Sequence, residues 1–159
     1  MQDDYYTIKA EAVTRKHIQR VSELLGTIAV ELIDRGAKHD KTKLVDPELA
    51  ALAQMQQVTD KQGFVPYNSP EYVERMAILK PMLAHHYAAN RHHPEHYSNG
   101  VTGMTLLDIV EMFADWKAAA ERSNHEKMNI SHAAERYKID AQLEQIFKNT
   151  ADYMGFKYE

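Results

Sequence analysis

Apolar residues recur at steps of three and four along most of this chain, and that spacing predicts helices. Between about Thr14 and Arg35, the residues Ile18, Val21, Leu25, Ile28 and Leu32 make one stripe, with Gly36 as its stop. A polar connection, "AKHDKTKLVD", follows with room for a short helical turn. A second helix is expected from Pro47 to about Lys61, opened by its proline and closed by Gly63. "GFVPYNSP" reads as a loop. Ser69 and Pro70 then read as a cap and a first-turn proline, starting a helix that runs towards Asn90. Pro81 lies inside it and, lacking an N–H, is expected to kink or split it.

Pro94, Asn99, Gly100 and Gly103 mark "HHPEHYSNGVTG" as the next loop. Thr105 to Asp108 has the form of a capping box, with Asp in place of the usual Glu, and opens the apolar stretch "LLDIVEMFADWKAAAER". Ser131 to Met154 reads as one broken helix or two short ones ending at Gly155. The expected fold is all-α: one compact domain over residues 1–159, built from five to seven helices.

Composition narrows the function classes. With 19 basic and 23 acidic residues the formal charge is −4, which argues against a broad nucleic-acid-binding face. The chain has no cysteine, so disulfides, thiolate metal sites and cysteine nucleophiles are excluded. No apolar run approaches the roughly 20 residues of a membrane span. The polar, acidic start "MQDDYYTIKAE" is unlike a signal peptide, and a cytoplasmic protein is expected.

Candidate chemistry gathers in "HHYAANRHHPEHY", which holds five of the nine histidines. His86 and Asn90 share a helix face there, and His92 and His93 fall where Pro94 obliges the helix to finish. His39 and Asp40 can place an imidazole nitrogen and a carboxylate oxygen on one cation, best at a helix end. His17 leans towards the apolar side of the first helix, where a lone histidine serves as a core residue more often than as a ligand. On the apolar helix, Asp108 has a capping explanation. Asp115 stands among Phe113, Ala114 and Trp116, and a cation or a paired base would relieve the cost of burying it.

The order His17, His39-Asp40-x-x-Lys43, His86, His92-His93-x-Glu95, Asp115 resembles the HD-domain superfamily of metal-dependent phosphohydrolases, which are all-helical. "HDKTK" is similar to that superfamily's His-Asp-x-Gly-Lys form, with Thr42 in the glycine position. "NRHHPEHY" with "DIVEMFADWKAA" is also similar to a small uncharacterised family of phage and bacterial genomes, over most of the chain. The HD resemblance implies His17, His39, Asp40 and Asp115 as ligands of a first metal. Asp40 would bridge to a second ion, held by His86 and by His92 or His93. It further implies Lys43 as a phosphate contact or a support for Asp40.

Arg91 and His93 are candidate substrate clamps, Lys117 a further positive charge, and Glu95 or Glu111 a catalytic or ligand-orienting carboxylate. Imidazole and carboxylate donors without thiolate suit one or two ions of Mn, Fe, Co, Ni, Zn or Mg. The expected substrate is a nucleotide or another small phosphorylated molecule. Tyr5, Tyr6, Phe64, Tyr67, Tyr87, Tyr97 and Trp116 could stack on a base, though core packing is the commoner use of such residues. Relatives of the HD type often form homo-oligomers. Two other functions fit the same residues: a non-catalytic metal-containing module that binds a nucleotide or a partner protein, as a phage–host interaction factor would, and a di-iron oxygenase.

Overall fold

The computed structural model describes residues 2–63, 65, 69–122 and 127–159; Phe64, Tyr67 and most of the expected "GFVPYNSP" loop lie outside the described residues. Among the described residues the fold is all-α. Six helices follow in order: α1 Gln2–Lys38, α2 Glu48–Gln62, α3 Pro70–Ala89, α4 Leu106–Arg122, α5 Ile130–Tyr137 and α6 Ala141–Met154. Short 3-10 turns occupy Lys41–Leu44, Pro94–His96 and Gly100–Gly103. No described helix is long and apolar enough to cross a membrane. The chain divides into two units, one ending at Lys38 and the other beginning at His39.

The first unit is α1. It starts at Gln2 rather than near Thr14, because the polar residues before the stripe contain neither glycine nor proline and support the helix by themselves. Thr14 donates to the Ala10 carbonyl, and Arg15 pairs with Glu11 one turn away. At the other end Lys38 pairs with Asp34 at 2.6 Å and, with Arg35, offsets the negative end of the helix dipole. Gly36 does not stop the helix, which continues to Lys38. Ile18, Val21, Leu25 and Ile28 of the stripe are exposed, and Leu32 is half-buried.

The second unit carries the core. Met112 and Phe113 of α4 pack with Phe147 and Ala151 of α6 and with Met128 and Ile130 at the start of α5. The Phe113 and Phe147 rings stack in parallel at 5.5 Å. The C-terminal residues close this core from outside: the Met128 N–H donates to the Lys157 carbonyl, the Glu159 N–H donates to that of Met128, and Met128 forms a single parallel bridge with Tyr158. With one side of α4 committed to the core, Glu111 and Asp115, one turn apart, share a face of their own.

Helix α3 runs through Pro81 as one element, and Ser69 caps its start by accepting from the Tyr72 N–H. A proline inside a helix forfeits one backbone hydrogen bond, and here that loss does not divide the element. Pro47 precedes α2 rather than opening it, and Gly63 ends α2 with a φ of 76° that favours glycine. The last third of the chain is two helices, separated by Lys138 in the left-handed region and ended by Gly155 at φ 69°.

Candidate metal centre

The site is built at the start of the second unit. Asp40 takes the left-handed conformation, φ 55° and ψ 17°, which Asp tolerates better than most residues. This break sets His39 and Asp40 against α3 and α4 together. Asp40 begins the 3-10 turn without spending its carboxylate on a cap. Its Oδ2 accepts instead from Lys43 Nζ at 2.6 Å, one turn on, and stands 3.4 Å from His39 Nε2. Its Oδ1 faces the other way, 3.3 Å from His86 Nε2 and 3.5 Å from His92 Nε2.

Two overlapping groups of donor atoms result. Asp40, His86, His92 and His93 form one; His39, His92 and Asp115 form the other. Within each group one donor atom per residue lies within 4.8 Å of all the rest, and His92 belongs to both. His86 and His92 are buried, and the other members are half-buried. A group of this composition and spacing could hold a metal ion.

Carboxylates behind the ring set decide which nitrogens face inward. Glu111 Oε1 lies 3.0 Å from His39 Nδ1 and 3.2 Å from His92 Nδ1. Glu48, fully buried at the start of α2, takes His86 Nδ1 at 2.9 Å and His85 Nδ1 at 2.7 Å. Asn90 uses its amide on the Thr42 hydroxyl at 2.9 Å and the His86 carbonyl at 2.8 Å, which leaves the His86 Nδ1–H to Glu48. With Nδ1 engaged in His39, His86 and His92, each presents Nε2 to the centre; His93 meets His86 there, Nε2 to Nε2, at 2.8 Å. This is the arrangement by which an outer carboxylate fixes the tautomer and orientation of a metal-binding imidazole.

Charges follow the geometry. Hydrogen bonds to Asp115 and then Asp40 raise the His39 pKa to about 10. Burial works to raise the pKa of Asp40, but hydrogen bonds from His39 and Lys43 outweigh it and hold Asp40 well below the usual carboxylate range. Asp115 is likewise pushed up by burial and brought below its ordinary value by the His39 hydrogen bond. Burial lowers His93 to about 3, helped by its neighbours His92 and His86, and burial followed by the His39 charge lowers His92. Neutral His92 and His93 beside ionised Asp40 and Asp115 are in the states that cation binding needs, whereas His39 has a proton to lose.

Two buried atoms test the fit most sharply. Asp40 Oδ1 and His92 Nε2 have no hydrogen-bond partner among the described residues. Leaving such atoms unsatisfied costs about 1–3 kcal/mol each, more when charged. Both belong to the donor group in which Asp40 Oδ1 faces His86 and His92, so a cation would satisfy both at once.

Of the residues singled out from sequence, the fold brings together His39, Asp40, His86, His92 and Asp115, with Lys43 at the edge. It adds His93, expected as a substrate contact, to the converging donors; both members of the His92–His93 pair face inward. His85 is half exposed and turns to Glu48. His17 is exposed on α1. Glu95 pairs with Arg136 at 3.1 Å instead of orienting a ligand; Glu111 takes that position. Arg91 is drawn to Asp108 at 3.4 Å, and Lys117 to Glu121 at 2.9 Å. Asp108 is the expected cap: its Oδ2 accepts from the N–H and hydroxyl of Thr105, and its own N–H donates back to the Thr105 hydroxyl.

Glu48 and Thr42 escape the sequence reading. An acid after a proline looks like an ordinary first-turn residue suited to the helix dipole, and nothing local marks it as buried. Burial works to raise the Glu48 pKa, but hydrogen bonds from His85, Thr42 and His86 bring it below its ordinary value. The Thr42 hydroxyl thus stands beside the carboxylate that holds His86. No curated protein and no solved structure matches the chain significantly. Residues 7–153 match the model of the family of unknown function DUF5662, and the chain belongs to that family.

Proposed function

We propose that this chain is a metal-dependent phosphohydrolase of the HD type, acting on a nucleotide or another small phosphoester. The observation that carries the reading is the pair of unsatisfied buried atoms, Asp40 Oδ1 and His92 Nε2, inside a set of imidazoles whose outer nitrogens are already held by carboxylates. His86, His92, His93 and Asp40 Oδ1 would hold one divalent cation. His39, His92 and Asp115 would make the donor group for a second.

The donor set has no thiolate and suits Mn, Fe, Co, Ni or Zn, and Mg less well. Bound there, a divalent cation would supply a water of lowered pKa and a Lewis acid for a phosphoryl oxygen. The protein's own contribution is positional. Glu111 and Glu48 fix three imidazoles, Lys43 balances Asp40 and adds positive charge at the edge of the site, and burial keeps His92 and His93 neutral.

The test is elemental analysis of gently purified protein, then phosphate release from a nucleotide panel with Mn, Co, Ni or Mg added. Metal-dependent release that disappears in Asp40→Ala supports the reading. Equal hydrolysis by metal-free protein contradicts it.

A further inference from the structure

Beside the donor set, on the side of His93, lies a cluster that the metal does not explain. The Tyr87 ring stands 5.0 Å from that of His93. The Tyr87 hydroxyl lies within electrostatic reach of Arg136, at the end of α5. The same guanidinium lies over the Tyr137 ring at 4.9 Å and reaches Glu95 at 3.1 Å, and Tyr137 stacks in parallel on Trp116, the neighbour of Asp115. Arg136 therefore stands one side chain away from the ligands, with half of its side chain exposed.

The other cations considered at the site are committed. Lys43 is bound to Asp40, Arg91 faces the fully buried Asp108, and Lys117 pairs with Glu121 while lying over the Phe156 ring. In the Arg136 pair the cation is half exposed and Glu95 is partly solvated. Exposed ion pairs of this sort exchange readily because they contribute little. A guanidinium also has more donors than Glu95 uses, arranged to match tetrahedral oxyanions.

We infer that Arg136 is the anion-recognising residue of the site, taking the charge of a phosphate group held next to the metal centre, with Glu95 as the internal carboxylate it leaves on binding. The inference rests on the phosphoester reading and adds the side chain that selects the substrate. It also gives Glu95 a role as a competitor for the anion's place.

Titrating inorganic phosphate into the Mn-loaded full chain by calorimetry, for wild type, Arg136→Gln, Arg136→Lys and Glu95→Gln, separates the possibilities. Arg136→Gln should weaken phosphate binding by on the order of tenfold, the scale of one charge-assisted hydrogen bond. Arg136→Lys should recover part of it, and Glu95→Gln should tighten it, with Mn affinity unchanged in all three. A merely structural ion pair would give Arg136→Gln and Glu95→Gln the same behaviour, and that result overturns the inference, as does wild-type phosphate affinity in Arg136→Gln. Wild-type protein that binds Mn but no phosphate overturns the phosphoester reading itself.

Discussion

Asp40 Oδ1 and His92 Nε2 lie 3.5 Å apart, both buried, and neither has a hydrogen-bond partner among the described residues. Around them His86 and His93 complete a group of four donors, while Asp40 Oδ2 and His92 reach towards His39 and Asp115. His92 is the residue common to both donor groups. His92→Ala should therefore abolish tight metal binding, whereas Asp115→Ala should leave the four-donor group intact and bind metal at reduced stoichiometry. Elemental analysis of the two variants side by side checks this; equal metal content would dissolve the distinction between the groups.

Glu48→Gln keeps the size of the side chain and one acceptor but removes the charge that holds His86 and His85. Outer carboxylates of this kind are worth about 10–100-fold in metal affinity. A loss in that range is expected, together with a lower melting temperature, because a fully buried residue loses its charge-assisted bonds. Competition against a coloured chelator measures the first effect. An unchanged affinity would mean that packing alone orients His86.

Asp108 separates folding from chemistry on the same helix. It is fully buried, caps α4 through Thr105 and accepts from the Tyr97 hydroxyl at 2.8 Å. Asp108→Ala strands those donors and should cost about 3 kcal/mol of stability. Asp115→Ala should cost less stability and more metal. Denaturant unfolding beside metal analysis would show whether the two acids divide their work in this way.

Metal binding should strengthen as pH rises. In the metal-free protein His39 is protonated up to about pH 10 through its bonds to Asp115 and Asp40, so a cation arriving at Nε2 must displace a proton. For the folded state alone the sign is the reverse. A histidine raised above its ordinary 6.5 adds stability that is full below that value and is lost as pH climbs through about 10. Calorimetry in two buffers of different ionisation enthalpy should report net proton release near pH 7. Proton-neutral binding would place the metal away from His39.

Much of this was legible in the residue pattern. Steps of three and four locate the helices, and the Thr105–Asp108 spacing identifies the cap, since these signals are local. His39, Asp40, His86, His92 and Asp115 stand out because their chemistry is unusual for their surroundings. Glu48 and Arg136 do not stand out. Each looks like a routine helix residue, an acid in a first turn and a base in a last turn, and only packing between distant segments gives them partners.

The most direct test of the metal centre is isothermal titration of a transition-metal ion such as Mn or Ni into metal-stripped wild type and Asp40→Asn, an isosteric change that removes the carboxylate charge of the four-donor group. The account predicts saturable binding of one or two ions to the wild type and loss of that binding in the variant. A wild type that takes up no ion, or an Asp40→Asn protein that binds as the wild type does, would contradict it.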